Sequence, residues 1–158
     1  KRYHREYLPD KPSSSRMETA FSFSLGEYVM KGRIDQINTS PGGCLELVDF
    51  KSGPSRYSDR DLRQDLQLKI YRLAMDEDKR LKNYGARAVR MKYLSLGAEK
   101  NAESFLPGKY YDRDELKEDI LEMIAGIKTE SFKEQPGYRV CRSCDYKILC
   151  PRYYGKYD

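Results

Sequence analysis

The sequence predicts an α/β fold, in which about four strands form a sheet and two helices pack on it. Short apolar runs bounded by glycine and proline fill the first third of the chain, which is typical of strands. Two later segments repeat apolar residues every three or four positions, which is typical of amphipathic helices. With 158 residues, the chain is long enough to bury a substantial core in one domain.

The strands are predicted from alternation and from turn chemistry. Apolar residues alternate with polar ones over Phe21–Leu25, so they occupy one face of the first strand. Gly26 marks the turn that follows, and Pro41–Gly43 marks a hairpin loop before the third strand. A polar loop is expected from Gly97 onward. The predicted strands are Glu18–Leu25, Tyr28–Ile37, Cys44–Lys51 and Ala88–Leu96.

Two helices follow from capping residues and apolar periodicity. Ser58, with Asp61 three residues later, is a capping pattern that opens the first helix, which extends to about residue 83. Asp112 and Glu115 open the second helix. The buried stripe of the first helix is predicted to be Leu62, Leu66, Ile70, Leu73 and Leu81. The apolar face of the second is predicted to be Leu116, Ile120, Met123, Ile124 and Ile127.

Composition limits the classes of function. No apolar run approaches the ~20 residues that a membrane-spanning helix needs, so we expect a soluble protein, and no signal peptide is visible. The net charge of +5 suits a polyanionic partner without proving one. Lys1 is not an initiator methionine, so we expect the chain to be part of a longer protein.

Three charged residues near the hairpin form the candidate site. Asp49 and Lys51 are two positions apart, so they point to the same face of a strand. Asp35, on the preceding strand, can lie beside them. Two carboxylates and an ammonium suit a divalent cation and a phosphate, which is the chemistry of metal-dependent phosphodiester cleavage. The alternative is a set of unrelated solvated charges, but apolar residues precede Asp49 and favour a half-buried strand end.

The same residues resemble a known family. Gly32–Ile37 (GRIDQI) and Val48–Gly53 (VDFKSG) are similar to the core motifs of the RecB-like nucleases of the PD-(D/E)XK superfamily. Gln67 and Tyr71 match, in type and spacing, a Gln-x-x-x-Tyr helix that follows these motifs in the family. The resemblance implies a restriction-endonuclease-like core with a mixed sheet. Without it, the residues alone favour an edge-of-core Tyr71 and a solvated Gln67.

The resemblance also implies a role for each of these residues. Asp35, Asp49 and the carbonyl oxygen of Phe50 would hold Mg²⁺ or Mn²⁺. Lys51 would hold the attacking water and offset charge in the transition state. Gln67 would touch the site, and Tyr71 would contact the DNA backbone or the water. The implied enzyme is a metal-dependent deoxyribonuclease acting as an exonuclease.

Three cysteines near the C-terminus form a second motif. Cys141, Cys144 and Cys150 have a spacing typical of metal or iron–sulfur ligands, with free thiols or disulfides as the alternatives. The segment resembles the tail of the iron–sulfur branch of the family, which includes AddB and the nuclease domains of UvrD-like helicases. That branch takes a fourth cysteine from upstream of the first motif, whereas Cys44 lies in the hairpin and is interpreted as a small strand residue. A [4Fe–4S] cluster is therefore expected to be incomplete in this chain.

The remaining polar candidates are His4, Glu18 and the basic residues near the motifs. His4 is expected to be an exposed residue of the arm rather than the catalytic histidine of the family, and Glu18 is either a support for the metal or a surface carboxylate. Each basic residue near the motifs is either a phosphate contact or a solvated charge. These are Lys31, Arg33, Arg56, Arg60 and Arg63.

The predicted organisation is an arm (1–17), a nuclease core (18–136) and a cysteine-containing tail (137–158). The predicted function is a DNA nuclease domain of a helicase–nuclease or DNA repair protein, with DNA and a helicase domain as partners. Its expected location is the cytoplasm, or the nucleoid in a bacterium. The alternative is a catalytically silent DNA-binding or scaffolding module on the same fold. A zinc-ribbon domain would require a fourth nearby ligand that the tail lacks.

Overall fold

The computed structural model describes residues 14–39, 44–52, 57–82, 89–95, 103–107, 110–131, 137–142, 144–150 and 152. The predictions for His4, for the hairpin loop Pro41–Gly43 and for Arg56 fall outside these residues. The chain forms two compact units, residues 1–117 and 118–158, which are described separately. None of the helices in the described residues is long and apolar enough to cross a membrane.

The first unit contains a mixed sheet, which confirms the predicted α/β fold class. Neighbouring strands are antiparallel except for β3 and β4, which are parallel, and the order across the sheet follows the chain. The fifth strand was not predicted, because it lies in a segment whose composition favours a polar loop. The strands are β1 (Ser14–Leu25), β2 (Tyr28–Thr39), β3 (Leu45–Lys51), β4 (Val89–Ser95) and β5 (Glu103–Pro107).

The β1–β2 hairpin brings glycine and a phenylalanine ring into close contact. Gly26 opens the two-residue turn with a φ of 59°, which glycine adopts without steric cost. Gly32 lies opposite Phe21, and a Cβ atom at Gly32 would stand 2.4 Å from the Cζ atom of that ring. The glycine of the GRID motif is therefore required by packing.

The crossover between β3 and β4 is helical but broken, so the single helix predicted over residues 58–83 is wrong. Helix α1 (Asp59–Gln64) ends at Asp65, whose extended backbone separates it from helix α2 (Leu66–Glu77). Because the helical periodicity does not continue across this break, α1 and α2 each turn their own set of positions toward the sheet. Leu68 and Tyr71 are therefore buried, whereas Leu66 and Ile70, members of the predicted stripe, are only half-buried.

The core of the first unit lies between α2 and the central strands. It is built of aliphatic side chains whose residues are at most 2% exposed, including Ile34, Ile37, Leu45, Leu47, Leu62, Leu68, Leu73 and Met91.

Helix α3 (Arg113–Lys128) begins beyond Asp112, which accepts hydrogen bonds from the first-turn amides. Leu116 and Ile120 of its predicted apolar face are buried, whereas Met123 and Ile127 are exposed. Residues 113–117 of this helix belong to the first unit and residues 118–128 to the second, which contains helix α4 (Tyr138–Arg142) and a 3₁₀ turn (Lys147–Leu149).

Candidate active site

The structure brings together the five side chains predicted to be catalytic. Asp35 lies on β2, just beyond the point where its pairing with β3 stops. Asp49 and Lys51 lie at the C-terminal end of β3 and share a face of the sheet. Gln67 and Tyr71 lie one turn apart on α2, the helix that packs against this end of the sheet.

Asp35 is held in place by the backbone of the neighbouring strand. The pairing between β2 and β3 ends with Gln36 and Val48. The β3 residues after Val48 therefore have no backbone partner on β2. The amide nitrogen of Phe50 instead donates to Oδ2 of Asp35 at 2.9 Å. This hydrogen bond fixes the Asp35 carboxylate beside Asp49. It is also the contact through which Phe50 takes part in the site.

Asp49 is a buried carboxylate paired with Lys51. The residue is 1% exposed, and Nζ of Lys51 lies 2.6 Å from Oδ2 of Asp49. The contact is an ion pair without good hydrogen-bond angles, because no donor in the described residues is aligned with Oδ2. Burial raises the pKa of Asp49, although the nearby ammonium opposes this effect. Burial alone would lower the pKa of Lys51, but Asp49 outweighs it and the pKa of Lys51 is raised.

Gln67 and Tyr71 connect the lysine to both carboxylates. Nζ of Lys51 donates to Oε1 of Gln67 at 3.1 Å, and Nε2 of Gln67 donates to the Tyr71 hydroxyl at 2.9 Å. Because an ammonium can only donate hydrogen bonds, Gln67 presents its amide oxygen to Lys51 and its amide nitrogen to Tyr71. The Tyr71 hydroxyl oxygen lies 3.4 Å from Oδ1 of Asp35 and 3.5 Å from Oδ1 of Asp49. Its single proton can be donated to only one of them at a time.

Tyr71 is a buried member of this network. It is 4% exposed, and its ring packs edge-on against Phe21 with centroids 6.4 Å apart. Burial, reinforced by the charges of Asp35 and Asp49, raises the pKa of Tyr71, so the phenol stays protonated at neutral pH. Its hydroxyl is directed at the carboxylates. The predicted contact with the DNA backbone is therefore less well supported than a role in orienting Asp35 and Asp49.

The residues fit a divalent cation. Two carboxylates flank one hydroxyl, and Oδ2 of Asp49 is a buried acceptor without an aligned donor among the described residues. Hard cations such as Mg²⁺ prefer oxygen ligands of this kind and often keep several water ligands, so two protein carboxylates are enough to bind one. Among the described residues, no group of three or more histidine, cysteine or acidic side chains could hold a metal ion.

Two further residues support the site, one by capping α2 and one by contacting Lys51, and both were missed by sequence reasoning. Asp65 caps α2, with Oδ1 accepting from the amide of Leu68 at 2.7 Å. Tyr93 is the register partner of Asp49 on β4, and its ring centroid lies 4.9 Å from Nζ of Lys51. An aspartate two residues before Gln67 could have been recognised as a cap. The position of Tyr93 depends on the parallel register, which local sequence does not reveal.

The basic residues near the motifs are placed in two different ways. Nη1 of Arg33 lies 3.2 Å from Oε2 of Glu18, so Glu18 forms an exposed ion pair. The guanidinium of Arg63 stacks over the ring of Tyr110 at 4.3 Å. Four of the predicted basic residues are described and all are exposed: Lys31, Arg33, Arg60 and Arg63. Their roles in binding DNA stay predictions.

The cysteines are free thiols in the structure. Cys141 is buried and its Sγ accepts from the amide of Gly137 at 3.4 Å, whereas Cys144 and Cys150 are half-buried. Among the described residues, which include all three cysteines, no group of three or more side chains could hold a metal ion. The predicted iron–sulfur site therefore gains no support. Cys44 lies immediately before β3, consistent with a small residue at a strand end.

Comparison with known proteins identifies the superfamily. A model of the PD-(D/E)XK nuclease superfamily matches residues 1–151. No curated protein is significantly similar to the chain in sequence. Two solved structures match the chain, each with a TM-score of 0.48. The protein SSO0001 is 17% identical, with 94% of this chain and 63% of that chain covered. A candidate exonuclease from Eubacterium rectale is 14% identical, with 91% and 55% covered.

Proposed function

Because the chain belongs to the PD-(D/E)XK nuclease superfamily, we propose that it is a nuclease domain that hydrolyses DNA phosphodiester bonds with Mg²⁺ or Mn²⁺. One observation carries the proposal: Asp35, Asp49 and Lys51 meet at a single hydrogen-bonded network with Gln67 and Tyr71. A protein that only binds DNA has no need of a buried carboxylate paired with a lysine.

The carboxylates of Asp35 and Asp49 would hold the cation. When bound, it supplies a charge that polarises a phosphate and lowers the pKa of a water molecule. The amide of Phe50 fixes the carboxylate of Asp35, and the Tyr71 hydroxyl lies between both carboxylates and donates to one of them at a time. These contacts keep the two groups in place before substrate arrives, so little reorganisation is needed during the reaction.

Lys51 is the group that acts on the substrate itself. Its ammonium is positioned by Asp49 and Gln67, and the raised pKa keeps it charged at neutral pH. A positive charge beside a scissile phosphate stabilises the negative charge that develops in the transition state. Gln67 accepts a hydrogen bond from Lys51 and donates one to Tyr71. The position of α2 therefore helps to set the position of the Lys51 ammonium.

The test is cleavage of labelled single- and double-stranded DNA with Mn²⁺, together with calorimetry of Mn²⁺ binding. Asp49→Asn should lose at least tenfold in Mn²⁺ affinity and lose cleavage while staying folded, because the carboxylate oxygens are the proposed ligands. Exposed Asp59→Asn, an acidic residue at the start of α1, is the matched control. DNA binding without cleavage in wild type would contradict the proposal and favour the silent module.

Finer features of the function remain proposals that rest on the sequence resemblance. These are exonuclease action, a helicase or DNA repair partner, an intracellular location and an iron–sulfur cluster completed outside this chain. Digestion of linear but not circular single-stranded DNA would support exonuclease action, since a circle has no end. Equal digestion of both would contradict it.

A further inference from the structure

One residue in the middle of β1 has a backbone conformation that strands do not normally use. Glu18 has a φ of 51°, in the left-handed region that glycine tolerates and other residues rarely adopt. Among the described residues, Glu130 is the other non-glycine residue with a positive φ. Glu130 lies two residues beyond α3, where a left-handed residue commonly ends a helix. Glu18 lies inside a strand, so its strain requires another explanation.

The left-handed residue interrupts the β1–β2 ladder opposite a residue of the candidate site. The register places Glu18 opposite Asp35, yet these two residues are not paired, whereas the pairs on either side of them are formed. On its other edge, β2 stops pairing with β3 at Gln36. Within the described sheet, the backbone of Asp35 therefore lies outside both ladders. Interruptions of this kind are common next to active sites, where they redirect a side chain, and here the Asp35 carboxylate accepts from the amide of Phe50 at 2.9 Å.

The side chain of Glu18 does not account for the strain. Its carboxylate forms an ion pair with Arg33, and the two side chains are 61% and 64% exposed. An ion pair in water contributes little to stability, because both charges are well solvated without it. The left-handed conformation is therefore better explained by its effect on the backbone of the neighbouring strand.

We propose that Glu18 is a positioning residue for Asp35. Its left-handed backbone keeps β1 and β2 unpaired at this point, so Asp35 can turn its carboxylate toward the amide of Phe50. The inference rests on the proposed function for the role of Asp35 as a metal ligand. The hydrogen bond between Asp35 and Phe50 can nevertheless be measured without metal and without cleavage.

Two variants of Glu18 separate the effect of its backbone from that of its carboxylate. Glu18→Gly removes the carboxylate and keeps the positive φ at no steric cost. Glu18→Val strongly disfavours a positive φ, so position 18 should become extended and pair with Asp35. Glu130→Val is the matched control, because it replaces the same residue type at a φ of 52° in the second unit.

The first readout is the hydrogen-exchange rate of the Phe50 amide, measured by NMR in EDTA. Glu18→Val should exchange this amide about fivefold faster, the factor expected for the loss of one net hydrogen bond. Glu18→Gly should exchange it at the wild-type rate and should melt about 2–4 °C higher, because the strain is removed. Glu130→Val should melt lower with no change at Phe50, so it controls for exchange through global unfolding.

The second readout is calorimetry of Mn²⁺ binding. Glu18→Val should bind Mn²⁺ about fivefold more weakly or worse, because Asp35 is no longer held beside Asp49. Glu18→Gly should keep the wild-type affinity. Weaker Mn²⁺ binding in Glu18→Gly without faster exchange at Phe50 would overturn the inference, because the Glu18 carboxylate would then be a ligand itself.

Two further outcomes would also overturn the inference. One is an unchanged exchange rate at Phe50 in Glu18→Val, and the other is an equal increase in Glu130→Val. If Glu18→Val does not fold, Glu18→Ala takes its place, since alanine also disfavours a positive φ. Wild type that binds no Mn²⁺ and cleaves no DNA, with the expected exchange pattern at Phe50, would contradict the proposed function and leave the positioning role of Glu18 supported.

Discussion

Replacing Lys51 by methionine should destabilise the metal-free protein, whereas replacing Asp49 by asparagine should not. Removing one partner of a buried ion pair typically costs about 3–5 kcal/mol, because the other charge is left buried. The side chain of Lys51 is 23% exposed, so water reaches the pair and we expect about 2 kcal/mol. For a protein of this size, that corresponds to a melting temperature about 4–8 °C lower.

Asp49→Asn removes the charge that burial makes unfavourable. The raised pKa of Asp49 means that folding favours its protonated form, so the ionised form costs stability at neutral pH. A neutral amide avoids this cost, and Lys51 can turn toward water. The melting temperature should therefore be unchanged or higher, although metal binding is lost. The double variant Lys51→Met/Asp49→Asn should melt close to Asp49→Asn, which measures the coupling of the pair.

The directions of the two pKa shifts predict how the stability contributed by Asp49 and Lys51 changes with pH. The unfavourable contribution of ionised Asp49 is absent below its ordinary pKa of 3.8, so the deficit of Lys51→Met should shrink as pH falls toward 4. The raised pKa of Lys51 means that its stabilisation is present below 10.5 and is lost as pH rises through the higher folded value. Thermal melts by circular dichroism in EDTA between pH 4 and pH 7 test the acidic half. Equal melting of wild type and Lys51→Met, with Asp49→Asn several degrees lower, would refute the reasoning.

Three further predictions concern the helix, the hairpin and the end of α2. Gln67→Ala should lower cleavage by about tenfold with little change in melting temperature, since Gln67 is exposed but holds Lys51; paired melts and rates on one sample check it. Gly32→Ala should cost about 1–3 kcal/mol, because its Cβ would strike the buried ring of Phe21, and Gly137→Ala, with nothing within 4 Å, is the control in urea titrations. Asp78→Ala should cost about 1–3 kcal/mol at neutral pH, because the buried carboxylate accepts from Arg80, which lowers its pKa, and from the amide of Ser22, which would lose its acceptor. Wild type should lose that advantage over Asp78→Ala as pH falls below 3.8, which melts across this range would show.

The parts of the fold with a local cause could be predicted from the sequence. Alternation and turn residues predicted four strands, and the positions of Asp49 and Lys51 at a strand end followed from an apolar run that stops there. The break at Asp65 was missed because the apolar spacing across it is compatible with one continuous helix. An aspartate can either occupy a helix or cap one, and here capping prevails because its carboxylate accepts a hydrogen bond from the amide of Leu68.

The remaining features depend on contacts between distant segments. The contact of Tyr93 with Lys51 arises only from the parallel register of β3 and β4. Asp78 lies in a run of charged residues, which is typical of an exposed segment, yet it is 2% exposed and accepts from the amide of Ser22 on β1 at 2.7 Å. Neither contact leaves a signal in the residues nearby in sequence.

The parallel pairing of β3 with β4 has a consequence for the order of folding. The strands of the β1–β2 hairpin are joined by two residues, whereas partners in β3 and β4 are separated by roughly forty residues. Closing that longer loop costs chain entropy before its contacts can compensate. Asp49 and Lys51 lie on one side of this pairing, and Gln67 lies within the loop that it closes. A refolding chain should therefore regain its β1–β2 hairpin before it regains affinity for Mn²⁺, and a nascent chain should remain inactive until β4 has left the ribosome.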